Sequence, residues 1–292
     1  MQIAKSLTTR EVARLCRVSD ATVKRWEDAG LLNSERTSGG HRRFRADEVA
    51  RFQREQNLGV KHSHADESML KARIRRREIK DDSHCALFHS LVGGAEEEAA
   101  NILINAYLHG EPVTSIFDNL VCSAMKCIGE LWYKGELSVA QEHLATRTAH
   151  NAIHKMRLTI PVPDITGDLA VCCGVEGDFH ELPTHLAQIT IENEGWEVFN
   201  FGANTPFYSL AEEIVRYAPK IVCVSATLIS DIERLSRDYK DFRERIGKLQ
   251  IPVLVGGRAF ADERIRSRFP AEFYAENFSD VAGFIKRIAA ED

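Results

Sequence analysis

A carboxylate and an imidazole stand close together in the second half of the chain, where Asp178 and His180 belong to the segment EGDFH. This spacing lets the carboxylate hydrogen-bond one ring nitrogen, which fixes the tautomer and raises the basicity of the other nitrogen. A histidine supported in this way is a good transition-metal ligand. The pair therefore predicts His180 as a metal ligand supported by Asp178, against the alternative of a solvated loop histidine.

A second set of candidate residues joins a flat apolar ring to a carboxylate and an imidazole: Trp132, Glu142 and His143. On one continuous helix, Trp132 and Glu142 would be rotated by about 280° around the axis, which is about 80° by the shorter way, and would lie about 15 Å apart along it. The break at Gly135 allows the chain to reverse, so that Trp132 approaches the other two residues across a hairpin. The spacing leaves open the alternative of a core tryptophan and an unrelated surface pair.

A third set is cationic and lies near the amino terminus. Residues 8–30 read as two short helices around a tight turn, with Thr8 or Thr9 capping the first and Ser19 capping the second. This is helix-turn-helix geometry, in which the second helix contacts base edges and phosphates. The residues expected to face outward from it are Thr22, Lys24 and Arg25.

The run HRRF follows a Gly39-Gly40 turn between short polar arms. A Gly-Gly hairpin that carries cations can act as a wing and reach the phosphates beside the groove. The wing residues predicted to contact DNA are His41, Arg42 and Arg43. The alternative is that these arginines only form a solvated surface.

The elements that must position the Asp178–His180 pair lie in residues 165–292, where short apolar runs alternate with helical segments. Five such runs (LAVCCGV, WEVFNF, IVCVSA, PVLVG and EFYA) predict an α/β fold with a doubly wound, parallel, five-stranded sheet. Ligands of such sheets bind beyond the carboxyl ends of the strands. The residues expected at that edge are Asp178, His180, Ser225, Thr227, Gly256 and Gly257.

Residues 84–160 show helical apolar spacing and no strand-like alternation. Three breaks, at Gly93-Gly94, Gly110-Glu111-Pro112 and Lys134-Gly135, divide them into four helices, which predicts a four-helix bundle. The spacing assigns the following apolar residues to the helix faces: Leu87, Leu91, Ile102, Ala106, Ile116, Leu120, Ala124, Ile128, Leu144, Thr148 and Ile153. With a head over residues 1–75, the charged residues 76–83 are expected to be a linker.

Composition limits the function classes. The 292 residues include no apolar stretch long enough to span a bilayer, and the amino terminus lacks a signal-peptide pattern, so we expect a cytoplasmic location. The net charge of −5 conceals an asymmetry, because residues 1–80 carry +8 and the remainder −13. The seven cysteines contain no C-x-x-C pair and are expected to be reduced. This charge split predicts a polyanion-binding head on an acidic body.

The residues TTREVARLCRVSDATVKRWEDAGLL, followed by SGGHRRF, resemble the winged helix-turn-helix head of MerR-type transcription regulators over roughly residues 5–75. This resemblance implies binding to operator DNA as a homodimer or tetramer. The segment after the head has no cysteine cluster, which argues against a metal-sensing member of that family.

The D-x-H element, the Ser225-Ala226-Thr227 element and Gly256-Gly257 resemble the cobalamin-binding domain of methionine synthase and corrinoid proteins. This resemblance implies that His180 is the lower cobalt ligand and Asp178 its support. Ser225, Gly256 and Gly257 then line the slot for the nucleotide tail. Pro183 stands where the motif has Gly, and Thr227 where it often has Leu.

The complete order of head, bundle and sheet resembles the CarH/LitR family of adenosylcobalamin-dependent photoreceptor repressors. This resemblance implies that the residues covering the upper face of the corrin and enclosing the adenosyl group are Trp132, Val139, Glu142 and His143. Members of the family can have a second cobalt-binding histidine directly after the Trp, where this chain has Tyr133.

The sequence therefore predicts a repressor without enzymatic activity, whose partners are operator DNA, adenosylcobalamin and further copies of itself, and not a membrane. Light-driven Co–C cleavage is expected to alter its assembly and its DNA affinity. One alternative is a DNA-binding regulator that does not use cobalamin and is controlled by a protein partner. Another is a corrinoid methyl-carrier or mutase subunit, against which the DNA-binding head argues.

Overall fold

The computed structural model describes residues 6–16, 18–37, 39–45, 48–49, 51–52, 86–161 and 163–290. The chain divides into two units, Met1–Pro161 and Val162–Asp292. The predicted linker over residues 76–83 lies outside the described residues. Within those residues, no helix has the length and apolarity needed to cross a bilayer.

The head contains the predicted helix-turn-helix and wing. Strand β1 (Ser6–Thr8) precedes α1 (Thr9–Leu15) and α2 (Asp20–Asp28), and the wing is formed by β2 (Glu35–Arg36) and β3 (Arg42–Arg45). The three strands form an antiparallel sheet in the order β1-β3-β2. Strand β1 was not predicted, because three residues are too few to show an alternating pattern.

Local hydrogen bonds set the boundaries of the two head helices. The Thr8 hydroxyl accepts from the backbone of Glu11 at 3.2 Å, and the Glu11 carboxylate accepts from the backbone of Thr8 at 2.7 Å, which completes a capping box. Ser19 caps α2, and Gly30 follows it with a φ of 71°. These caps are confirmed predictions, and they place α2 on a core that includes the buried Val12.

The bundle has the predicted four helical segments. They are α3 (Ala86–Val92), α4 (Glu96–Leu108), a third segment, and α6 (Val139–Arg157). The third segment starts with the helical turn Val113–Ser115, passes through a π-helical stretch at Ile116–Val121, and continues as α5 (Cys122–Tyr133). The predicted breaks at Gly93-Gly94, Gly110-Glu111-Pro112 and Lys134-Gly135 all separate segments.

The predicted apolar faces of the bundle are partly wrong. Ile102 and Ala106 are only half-buried, because α4 turns a neighbouring face inward that includes Leu103 and Ile104. Leu120 is half-buried because the π-helical stretch adds residues to a turn and rotates the inward face. Leu144 is 46% exposed. The remaining predicted positions are buried: Leu87, Leu91, Ile116, Ala124, Ile128, Thr148 and Ile153.

The second unit is the predicted doubly wound sheet. Its strands are β4 (Leu169–Gly174), β5 (Glu197–Asn200), β6 (Ile221–Ser225), β7 (Val253–Gly256) and β8 (Phe273–Ala275). They are parallel, in the order β5-β4-β6-β7-β8. The intervening helices are α7 (Leu182–Glu192), α8 (Phe207–Tyr217), α9 (Ile232–Ile246), the short α10 (Glu263–Arg266) and α11 (Phe278–Ala290).

Helices cover both faces of this sheet. One face packs against α8 and α9 through a cluster that includes Phe207 and Tyr239. The other packs against α7 and α11 through Ile191 and Phe284. The chain crosses from one side of β4 to the other after β5, so the crevice that receives ligands lies at the carboxyl ends of β4 and β6.

Candidate functional site

Asp178 is the structural centre of the edge where β4 and β6 end. Its side chain is 3% exposed, and Oδ1 lies 2.5 Å from Nδ1 of His180 while also accepting from the His180 backbone N–H at 3.2 Å. The second oxygen, Oδ2, accepts from the backbone N–H groups of Thr227 at 2.5 Å and Leu228 at 3.3 Å. One buried carboxylate therefore ties the loop after β4 to the loop after β6.

The charge on Asp178 determines which ring nitrogen of His180 carries the hydrogen. Burial raises the pKa of Asp178, but hydrogen bonds from the His180 ring and from the backbone of Thr227 and His180 bring it below its ordinary value of 3.8. An ionised Asp178 can only accept, so Nδ1 of His180 carries the hydrogen of this bond, and in the neutral ring the lone pair is on Nε2. The His180 side chain is 49% exposed. The arrangement suits a ligand that approaches Nε2.

A row of small residues runs along the same edge of the sheet. Gly174, Ser225, Gly256 and Ala275 are register partners on β4, β6, β7 and β8. Ala275 belongs to the apolar cluster that contains α7 and α11, so the row faces that helical layer. A Cβ at Gly256 would meet only Ala275, with the nearest atom at 3.4 Å. The row therefore offers a shallow floor on which an extended group can lie.

Gly257 has a different reason to be glycine. Its φ is 101°, a conformation that L side chains rarely adopt, and a Cβ there would lie 2.5 Å from the carbonyl oxygen of Ala226. The turn after β7 thus packs directly on the end of β6. The absence of a side chain at Gly257 is required by the fold itself, whereas Gly256 has room for a methyl group.

Asn204 is a supporting residue that the sequence analysis missed. Its Oδ1 accepts from the backbone of Gly177 at 2.8 Å, and its own N–H donates to the carbonyl of Asp178 at 2.9 Å. Its φ of 54° is one that asparagine tolerates better than most residues. Asn204 therefore holds the loop that carries Asp178 and His180, and the turn-forming segment GANTP was the available signal.

In the bundle, the chain reverses at Gly135, where φ is 75°, and α5 and α6 pack against each other as predicted. Ser138 caps α6, which places Glu142 and His143 near its start. Trp132 is 46% exposed and is therefore not a core residue of the bundle. Val139 is also exposed. The end of α5 and the start of α6 thus present apolar side chains to the surface.

The Glu142 carboxylate is held within its own helix. Oε1 accepts from the hydroxyl of Thr146 at 2.8 Å, and Oε2 lies 3.7 Å from Nε2 of His143. The His143 side chain is 73% exposed, and Tyr133 is 87% exposed. Thr146 therefore orients the Glu142 carboxylate, and the side chains of His143 and Tyr133 are open to solvent.

The residues predicted to contact DNA have different environments. Lys24 and Arg25 are exposed on α2, as predicted, and His41 is exposed beside the Gly39-Gly40 turn. Thr22 is half-buried, with its hydroxyl 2.9 Å from that of Ser19. Arg43 is half-buried on β3.

Arg42 departs from the expected open wing. Its Nε donates to Oε2 of Glu27 at 2.6 Å and its Nη2 to Oδ1 of Asp28 at 2.8 Å, and its side chain is only 20% exposed. The guanidinium is directed toward α2 because two carboxylates at the end of that helix lie within reach of β3. Contact of Arg42 with DNA remains a prediction.

Comparison with known proteins matches two segments of the chain to families. Residues 8–44 match the family described as MerR family regulatory protein. Residues 86–155 match the family described as B12 binding domain. The chain thus combines a MerR-type head with a helical domain of the B12-binding type, as the sequence resemblance implied.

Relatives of two kinds share these parts. The HTH-type transcriptional repressor CarA of Myxococcus xanthus is 25% identical over 97% of this chain and 97% of its own length. The repressor CarH of the same organism is 24% identical over 85% of this chain and 87% of its own length. Dimethylamine corrinoid protein 2 of Methanosarcina mazei is 22% identical over 59% of this chain and 81% of its own length.

Among solved structures, the monomethylamine corrinoid protein of Methanosarcina barkeri is similar, with a TM-score of 0.57 and 18% identity. The match covers 69% of this chain and 96% of that protein. At this identity the likeness concerns the fold, and it confirms that the fold of the matched part of this chain is one found in corrinoid proteins.

Proposed function

We propose that this chain, which joins a MerR-type head to a helical domain of the B12-binding type, is a cobalamin-dependent transcriptional repressor and not an enzyme. The observation that carries the proposal is the Asp178–His180 pair at the carboxyl edge of the sheet, 2.5 Å apart. The proposed domains are the head over residues 1–75, the bundle over 84–160 and the sheet over 165–292, with a linker at 76–83. We place its action in the cytoplasm.

The side chains of this site suit a metal ion that an organic ring already holds. Among the described residues, no group of three or more His, Cys, Asp and Glu side chains is arranged to hold a bare metal ion. A single imidazole supported by a single carboxylate suits a metal whose other positions are already filled, as in a corrin. The proposed ligand is Nε2 of His180, and Asp178 fixes the ring.

The remaining site residues have proposed roles in holding the cofactor. Ser225, Thr227, Gly256 and Gly257 line the slot for the nucleotide tail, and the in-register row through Ser225 and Gly256 supports this role. Further residues at the end of α5 and the start of α6 would contact the cofactor. They are Trp132, Val139, Glu142 and His143.

The proposed form of the cofactor is adenosylcobalamin. When bound, it supplies a Co–C bond that visible light can break. Trp132 and Val139 would contact the adenosyl group, and His180 would hold the cobalt. The chain responds if its dimeric or tetrameric assembly binds the intact cofactor more tightly, because a ligand shifts an equilibrium only by its differential affinity.

DNA binding by the purified full chain tests this function. Duplexes selected from a random library in the dark with adenosylcobalamin are assayed by gel shift in the dark, without cofactor and after illumination. We expect that the affinity for the selected duplex differs between the dark and illuminated complexes by at least about tenfold, roughly 1.4 kcal/mol. Equal affinity for the duplex in all three conditions would show that the chain binds DNA but senses neither the cofactor nor light.

A further inference from the structure

Two arginines face each other across the wing hairpin. Arg36 on β2 is the register partner of Arg42 on β3. Like charges directly opposite each other on neighbouring strands are destabilising. Because β2 is only two residues long, few backbone hydrogen bonds are available to offset this repulsion. A nearby anion would therefore stabilise the hairpin in this register.

Glu27, in the last turn of α2, supplies that anion. Its Oε2 accepts from Nε of Arg42 at 2.6 Å, and its Oε1 lies 3.7 Å from Nη2 of Arg36. The hydroxyl of Ser34 donates to Oε1 at 2.8 Å. Glu27 thus contacts both arginines of the hairpin and the segment that leads into it.

The contact between Glu27 and Arg42 is sheltered compared with other surface ion pairs of the head. The two side chains are 15% and 20% exposed, and Asp28 adds a second carboxylate to the same guanidinium at 2.8 Å. Hydrogen bonds from Arg42 and Ser34 lower the pKa of Glu27 below its ordinary value of 4.5. Charge-assisted bonds of this geometry are stronger than those between neutral groups and fix orientation.

We propose that Glu27 is a positioning residue for DNA recognition, which locks the wing to the end of the recognition helix through Arg42. The lock sets the distance between the outward cations of α2, Lys24 and Arg25, and the wing cation Arg43. The proposal rests on the proposed DNA binding of the head, and it replaces the predicted contact of Arg42 with DNA by its contact with Glu27.

The direction in which removal of the Glu27 charge changes DNA affinity distinguishes a positioning role from that of an ordinary surface carboxylate. A carboxylate near DNA repels phosphates, so removal of an ordinary surface carboxylate strengthens binding. If Glu27 positions the wing, its removal weakens specific binding although the head becomes more positive. Glu35, an exposed carboxylate on β2 of the same wing, provides the matched control.

The test uses the full chain and a duplex that wild type selects from a random library, with a scrambled duplex for comparison. We expect Glu27→Gln to weaken binding to the selected duplex by about tenfold, with binding to the scrambled duplex unchanged or tighter. Glu35→Gln is expected to bind both duplexes at least as tightly as wild type. Arg42→Gln should weaken specific binding like Glu27→Gln, and the double variant should be no weaker than either single variant.

Binding of Glu27→Gln to the selected duplex as tight as that of wild type would overturn the proposal. Additive losses in the double variant would also overturn it, because Arg42 would then act independently of Glu27. Hydrogen exchange gives a readout without DNA: the amides of β3 should exchange about tenfold faster in Glu27→Gln, with α1 unchanged. If wild type selects no duplex, the proposed function fails, and exchange alone decides whether the lock exists. An unchanged exchange rate in β3 would reject it.

Discussion

The imidazole of His180 and the carboxylate of Asp178 are joined through Nδ1 and Oδ1 at 2.5 Å, and the carboxylate is the buried partner of the pair. Its other oxygen is bound by the backbone of Thr227, forty-nine residues further along the chain. Asp178 therefore has two roles, because it orients the ring and also closes the edge between β4 and β6.

The double role of Asp178 predicts a loss of stability that does not depend on any cofactor. Asp178→Asn replaces one accepting oxygen by an amide N–H₂ group, which then faces a hydrogen-bond donor, either the His180 ring or the backbone N–H of Thr227. At least one hydrogen bond is therefore lost in a buried site. We expect the second unit to lose about 2 kcal/mol of unfolding free energy. Urea denaturation read by hydrogen exchange in β4 and β6 measures this loss. Asp241→Asn, on the exposed face of α9, is the control, and equal stability of the two variants would contradict the assignment.

The two adjacent glycines predict opposite kinds of defect. Gly257→Ala should destabilise the second unit by about 1 to 3 kcal/mol, because it strains a φ of 101° and drives a methyl group against the Ala226 carbonyl. Gly256→Ala should leave the fold intact, since its Cβ meets Ala275 no closer than 3.4 Å, and should weaken cobalamin binding by narrowing the slot. Thermal unfolding and cobalamin titration of both variants distinguish these outcomes. Unchanged cobalamin affinity in Gly256→Ala would show that Gly256 does not line the slot.

The sequence predicted those parts of the fold that depend on local pattern. Helix caps at Thr8 and Ser19, the break at Gly135 and the five strands all follow from the spacing of a few neighbouring residues. The Asp178–His180 contact was predictable for the same reason, because the two residues are only two positions apart.

Features that depend on contacts between distant segments were not predictable. Arg42 lies fifteen positions from Glu27, and nothing in the local pattern indicates that their side chains meet. Asn204 reaches Gly177 from another loop, twenty-seven positions away. The π-helical stretch shifted the inward face of the third bundle segment, which a regular helical period cannot anticipate.

The ion pair between Arg243 and Glu272 predicts a pH-dependent contribution to stability. Burial raises the pKa of Glu272, but hydrogen bonds from Arg243 and from the backbone of Val253 bring it below its ordinary value of 4.5. Because the folded-state pKa is the lower one, the stabilisation is complete above the ordinary value of 4.5 and is lost as pH falls through the folded value.

Glu272→Gln should therefore cost about 1 kcal/mol at neutral pH, a modest value because the side chain is 44% exposed and solvent screens the pair. The difference from wild type should shrink as pH falls through the lowered folded-state pKa, below which Glu272 is neutral in both states. The difference is measured from urea unfolding midpoints at pH 7 and pH 3, with hydrogen exchange of the β7 amides as the readout. The exposed Glu244→Gln serves as a control, and a difference that stays constant with pH would contradict the prediction.

Lys24 and Arg25, the exposed cations of α2, predict a salt-dependent effect on DNA binding. Lys24→Ala and Arg25→Ala should each reduce the slope of log K against log salt by about one if the residue contacts a phosphate. Binding of the full chain to a selected duplex at several salt concentrations gives this slope. An unchanged slope in both variants would show that α2 does not face the phosphate backbone.

The visible absorbance spectrum of the cobalamin complex tests the central claim most directly. Three proteins are mixed with adenosylcobalamin in the dark and separated from free cofactor by gel filtration: wild type, His180→Ala and His154→Ala. His154 is an exposed histidine near the end of α6, so the last variant is the control. We expect wild type and His154→Ala to elute coloured with the same spectrum, and His180→Ala to elute colourless or with a spectrum that lacks an imidazole ligand. A colourless wild-type protein, or a His180→Ala complex with the wild-type spectrum, would contradict the account.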